Sequence, residues 1–195
     1  AGSDVFWVPE VLGWNMAVAG KRSSFPTVDG LLGILSGVRV GGVIAGKVGV
    51  LHVHMGALPD GVAVFAEIVD RGMPAKHIRP SHCARDKALF EQAVVFNRNG
   101  GVIDITSGGT CFSTPAAVIR HLVDEKADMG KVVISTDGGG SMPAFDDKGN
   151  MIGLRTGSPA TNLRLIRELV TTDGLPLELV LPMTTSNVAD NLGLD

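Results

Sequence analysis

Three apolar runs in this 195-residue chain end in a side chain that can bind a cation. The segments are LHVHMG at 51–56, RPSHCARD at 79–86 and VVISTDGGGS at 132–141, and the side chains are His54, His82 and Asp137. A strand delivers its last side chain to the rim of a sheet, and adjacent parallel strands lie about 4.8 Å apart. Two imidazoles at neighbouring strand ends can therefore reach one cation at the ~2.1 Å of a zinc–nitrogen bond. A carboxylate beside them can bind the same cation, orient a water, accept its proton and return it to a departing amine. The pattern points to metal-assisted hydrolysis, with His54, His82 and Asp137 as metal ligands and Asp137 as the catalytic acid and base.

Neighbouring residues extend this reading. Arg22 and Arg85 follow the first and third strand-like runs closely, at the same rim. A guanidinium fork matches a carboxylate at two points, so an anionic substrate with one or two carboxylates is expected. The glycines of DGGGS let backbone approach a ligand, and Ser141 places a hydroxyl beside it. His52 lies two residues before His54, so both face the same way, and it reads as an interior polar residue. Asp104 and Thr106 alternate along an apolar run and need hydrogen-bonding partners inside the fold. His77 and His121 read as structural, and DDKGN at 146–150 lacks the spacing of a calcium loop and reads as a turn. Taken singly, each candidate also fits a plainer role: a hydrogen-bonded strand-end histidine, an Asp-stabilised turn, or a solubilising arginine.

The elements that must position these groups alternate along the chain. Strand-length runs at Trp14–Val18, Val48–His54, His77–His82, Val102–Thr106 and Lys131–Thr136 are separated by helical periodicity near 27–37, 60–72, 86–99 and 114–127. A loop over 137–157 and two helical patterns, near 159–171 and 176–191, complete the chain. No Asn-Gly type hairpin signal separates neighbouring strands, so crossover helices and parallel pairing are predicted. Five βα units fit an open doubly wound sheet or somewhat more than half of an eight-stranded barrel.

Composition narrows the class. A hydrophobic content of 45% and a mean hydropathy of +0.27 fit a covered α/β sheet. The net charge of −3, with no basic block, gives no nucleic-acid footprint. No apolar stretch reaches the ~20 residues of a membrane helix, and no secretory leader is visible. Cys83 and Cys111 read as free thiols, and a cytoplasmic location is expected.

The stretches RVGGVIAGKVGVLHVHMG, HIRPSHCARDKALFEQAVVFNRNGGVIDITSG and VVISTDGGGSMPAFDDKGN resemble the isoaspartyl (β-aspartyl) dipeptidases of the metal-dependent amidohydrolase superfamily. The resemblance implies a (β/α)8 barrel that holds two zinc ions and cleaves dipeptides whose aspartate is linked through its side-chain carboxyl. It matches His54 and His82 to ligands of one metal, and Asp137 to the ligand and acid/base at the end of the last barrel strand. Arg22, Arg85 and Ser141 match the groups that hold the substrate's charges.

Three departures accompany it. The HxH pair of the first barrel strand is absent, and HVH at 52–54 fits the later single-histidine motif. Asn15 stands where the family carries a carboxylated lysine that bridges the metals. The chain stops where the family continues into a small β-domain. By this alignment residues 1–195 form a single domain, the C-terminal part of an α/β barrel of the TIM type, roughly strands four to eight with their helices. The implied cofactor is Zn2+, one ion or two, and the implied partner is a small dipeptide, with no nucleic acid or membrane and with a homo-oligomer left open. The alternative is a truncated or degenerate, non-catalytic homologue that binds carboxylate ligands or a partner subunit. A third reading, a mononuclear deaminase or dihydroorotase-like reaction, suits Arg22, Arg85 and Ser141 less well.

Overall fold

The computed structural model describes residues 1–19, 23–56, 61–108, 112–148 and 150–194. Helix α1 (Gly2–Trp7) precedes strand β1 (Gly13–Ala17), and parallel strands then alternate with helices. In chain order these are α2 (Val28–Ile44), β2 (Val50–His54), α3 (Ala63–Asp70), β3 (Ile78–Ser81), α4 (Lys87–Arg98), β4 (Ile103–Thr106), α5 (Pro115–Asp124) and β5 (Val132–Ser135). Three helices start on side-chain caps. Thr27, Asp86 and Thr114 accept from the backbone N–H of Gly30, Leu89 and Ala117, satisfying donors the helix leaves unpaired. The α2 helix runs past residue 37, where the sequence pattern ends it, because its glycines are a contact surface. A Cβ on Gly41 would meet the Gly2 carbonyl oxygen at 2.3 Å, so only glycine lets α1 lie this close.

The strands β1, β2 and β3 form one parallel sheet, and β4 pairs with β5 in the same sense. The register aligns Asn15 with His52 and Arg79, Ala17 with His54 and Ser81, and Thr106 with Ser135. At the carboxyl ends the strands are stitched by further backbone bonds. Val18 N–H donates to His54 O, Met55 N–H to Ser81 O, Cys83 N–H to Asp104 O and Ser107 N–H to Ser135 O. The third of these joins β3 to β4, so all five strand ends share one rim.

Strand alternation sorts the residues into two faces. Leu51, Val53, Ile78, Ile103, Ile105 and Ile134 enter one core with Leu35, Phe65, Phe90 and Leu122 of the helices. Each such side chain contributes about 1.5–3 kcal/mol of burial. The opposite face is polar: His52 and His54, Arg79 and Ser81, Asp104 and Thr106, then Ser135. Asp104 Oδ2 accepts from the hydroxyls of Ser81 and Ser135 at 2.5 and 2.8 Å, tying three strands together on that face.

Two expectations are corrected. Residues 137–157 are not a plain loop: β6 (Ser141–Phe145) and β7 (Met151–Thr156) pair as an antiparallel hairpin. Its tip needs no Asn-Gly, because the Asp146 carboxylate accepts from the backbone N–H of Lys148 and Asn150 and from Asn150 Nδ2. After α6 (Thr161–Thr171), the pattern near 176–191 is not one helix. It divides into α7 (Leu177–Val180), a 3-10 turn at Leu181–Thr184 and α8 (Ser186–Leu192). Pro182 offers no N–H, and Thr185 leaves helical geometry at φ −131 and ψ −95. Cys83 is buried and unpaired, whereas Cys111 lies outside the described residues. Among the described residues no helix is long and apolar enough to cross a membrane.

Candidate functional site

His54 is the last residue of β2, and His82 follows β3 directly. Their rings meet across the rim: His54 Nδ1 lies 2.7 Å from His82 Nε2, with ring centroids 4.9 Å apart. His82 reaches this position because its backbone is left-handed at φ 62, which swings the side chain out of the strand alternation. Such a conformation costs about 1–2 kcal/mol for a residue with a Cβ. Asp137, two residues past β5, is also left-handed, at φ 52. Its carbonyl accepts from Gly140 N–H at 3.0 Å, closing the turn that holds it half-buried at the rim.

Asp137 acts on the pair through its charge. Burial lowers the pKa of His54, against the raising charge of Asp137 and together with Arg85. Burial brings His82 down to about 4, with Arg85 and His54 acting in the same direction and Asp137 against them. His52 stacks edge-on against His54 at 5.2 Å, and burial, His54, Arg79 and His82 bring it to about 3. These imidazoles are therefore neutral near pH 7, the form that offers a lone pair to a metal. Two neutral imidazoles 2.7 Å apart share one N–H between their facing nitrogens, so a cation held by both would require that proton to sit on the other nitrogen of its own ring.

His54 and His82 thus meet at the rim, and the charges of Asp137 and Arg85 act on both rings. Arg85 Nη1 donates to Met55 O at 3.0 Å. Ser141 opens β6, exposed, and among the described residues no hydrogen bond joins it to His54, His82 or Asp137. Arg22 lies outside the described residues. Asn15 is exposed and registers with His52, on the edge strand β1. The donor chemistry of the pair suits a zinc-type ion but supplies only part of a ligand shell. Among the described residues no cluster of three or more His, Cys, Asp or Glu side chains completes one.

Two residues gain a place that the sequence did not give them. Thr106 Oγ1 is 2.7 Å from His82 Nδ1, so a residue expected only to bond within the interior reaches the site itself. Arg79 is buried at 8% exposure, with Nε and Nη2 unpaired and Asp104 as a nearby opposite charge. The alternation of IRPS places Arg79 on the face of Ser81, and that was its one signal in the sequence.

No family model matches the chain. Solved structures do. A β-aspartyl dipeptidase of the thermophilic keratin degrader Fervidobacterium islandicum AW-1, in complex with a β-Asp-Leu dipeptide, superposes with a TM-score of 0.89 and 35% identity. The match covers 99% of this chain and 52% of that one. A second structure of a β-aspartyl dipeptidase from that organism gives 0.85 and 31%, over 99% of this chain and 49% of that one. The N-acetylglucosamine-6-phosphate deacetylase of Pasteurella multocida gives 0.57 and 14%, over 95% and 48%, and speaks for the fold alone. The chain spans about half the length of the proteins it matches. Over 99% of its own residues, with the paired histidines at its rim, it resembles the β-aspartyl dipeptidases, in a mixed α/β fold of parallel strands and helices that matches a fragment of an amidohydrolase barrel.

Proposed function

We propose that this chain is the C-terminal part of a metal-dependent hydrolase that cleaves β-aspartyl dipeptides, its five parallel strands corresponding to strands four to eight of a (β/α)8 barrel. The observation that carries the reading is the 2.7 Å approach of His54 Nδ1 to His82 Nε2, with the Asp137 charge acting on both rings. His54 and His82 would hold a zinc-type cation, joined by Asp137. Such an ion, when bound, lowers the pKa of a water and polarises a carbonyl oxygen. Asp137 accepts the proton of the attacking water and delivers it to the departing amine. Arg85 offers its fork to a substrate carboxylate, and Arg22 and Ser141 are assigned the remaining charged groups.

Zinc binding by the chain tests the first half. Wild type is expected to take up zinc at pH 7 and to lose it as pH falls and protons compete for the two imidazoles. His82→Asn is expected to lose at least tenfold in affinity. Hydrolysis of β-Asp-Leu by the protein at its full length tests the second half. Asp137→Asn is expected to lower turnover by about 10²–10⁴ while zinc stays bound. Zinc retained by both histidine variants, His54→Asn and His82→Asn, would sink the reading.

A second reading is a non-catalytic homologue that binds carboxylate ligands or a partner subunit. Asn15 favours it, since its neutral amide on β1 cannot bridge two cations as an anion does. Asn15→Lys separates the two: a second equivalent of bound zinc marks an enzyme lacking only its bridge, and unchanged stoichiometry favours the non-catalytic form.

A further inference from the structure

We propose that Thr106 is a positioning residue that sets the tautomer and ring orientation of His82. His82 stands outside the β3 ladder on a left-handed backbone, so strand geometry does not orient its ring. Thr106, the last residue of β4, is held more firmly. It is 2% exposed, its Cα is registered with Ser135, and a β-branched side chain has few χ1 choices. Its Oγ1 therefore reaches His82 Nδ1 at 2.7 Å from a place fixed by the sheet.

A neutral imidazole carries its proton on one nitrogen only, and the partner of one nitrogen decides the role of the other. With Nδ1–H donating to Thr106 Oγ1, His82 Nε2 is left bare and accepts from His54 Nδ1–H at 2.7 Å. The order of donors is then His54 to His82 to Thr106. The reverse order would put a hydrogen on Nε2 and close the nitrogen that faces the site. With Thr106 as the acceptor, Nε2 is the nitrogen of His82 left available. The role of Thr106 rests on the metal reading above only where zinc affinity is concerned.

The test uses Thr106→Val, which keeps the shape and removes the hydroxyl, and Thr106→Ser, which restores it. Long-range ¹H–¹⁵N spectra of the histidine rings in the metal-free chain read the tautomer directly. Wild type and Thr106→Ser are expected to show His82 as the Nδ1–H form alone, and Thr106→Val a mixture or the Nε2–H form. Zinc affinity is expected to fall about 10- to 100-fold in Thr106→Val and to recover in Thr106→Ser. An Nε2–H tautomer in wild type overturns the proposal without any variant, which matters should Thr106→Val not fold. An unchanged His82 spectrum in folded Thr106→Val overturns it equally. If wild type binds no zinc, the metal reading fails while the tautomer measurement still decides the role of Thr106.

Discussion

The His77 ring is buried at 3% exposure, with Nδ1 3.0 Å from the Gly49 carbonyl it donates to, and burial lowers its pKa. In the unfolded chain the same imidazole protonates near pH 6.5. Folding therefore excludes a proton: the contribution of His77 is fully present above about pH 6.5 and is lost as pH falls towards its lowered folded value. Urea titrations are expected to show stability falling between pH 7 and 5, by at most about 1.4 kcal/mol per pH unit for this group. His77→Gln, which keeps an N–H donor, is expected to flatten that slope. Arg79 and Asp104 make the opposite case. Asp104→Ala leaves the Ser81 and Ser135 hydroxyls without their acceptor and Arg79 without its nearby anion, and is expected to cost about 3–5 kcal/mol in urea unfolding. Arg79→Met leaves the buried Asp104 without its nearby cation and is expected to cost a comparable amount, still read by urea unfolding. At this scale the sequence marks His54, His82 and Asp137 because each ends an apolar run. It does not mark Thr106, whose partner lies 24 residues away and is met only through the turned backbone of His82.

The strands and helices were legible wherever one face is buried. Leu51 and Val53 alternate with His52 and His54, and α4 buries Leu89, Ala93 and Phe96 at helical spacing. The hairpin was not legible, because β7 is exposed along most of its length and no burial pattern imprints on its sequence. The extension of α2 was hidden for another reason. Glycines that look like helix breakers are there to admit α1, a contact that a linear reading cannot see. Gly13 on β1 is the sharpest such case, since a Cβ there would lie 2.1 Å from the Val50 carbonyl oxygen. Gly13→Ala must push β1 away from β2 and is expected to cost about 3 kcal/mol, read as a lowered urea midpoint. Gly33→Ala, on α2 with open space around its Cβ, is the matching control and is expected to be neutral or stabilising.

Across the whole molecule, apolar groups remain in contact with solvent. Trp7 is 75% exposed on α1, and Val43 and Ile44 are 66% and 64% exposed at the end of α2. Strand β1 is paired on one side only among the described residues, so a row of backbone donors and acceptors adds to that surface. The chain is expected to self-associate as its concentration rises, and the double change Val43→Lys, Ile44→Lys to weaken this, measured by light scattering. Finally, the two left-handed residues at the rim set durability against chemistry. Asparagine at 82 or glycine at 137 would relax the backbone by about 1 kcal/mol each, while abolishing the imidazole or the carboxylate. The imidazole and the carboxylate are thus held at the rim at the expense of backbone ease, and both relaxed variants are expected to show raised urea midpoints.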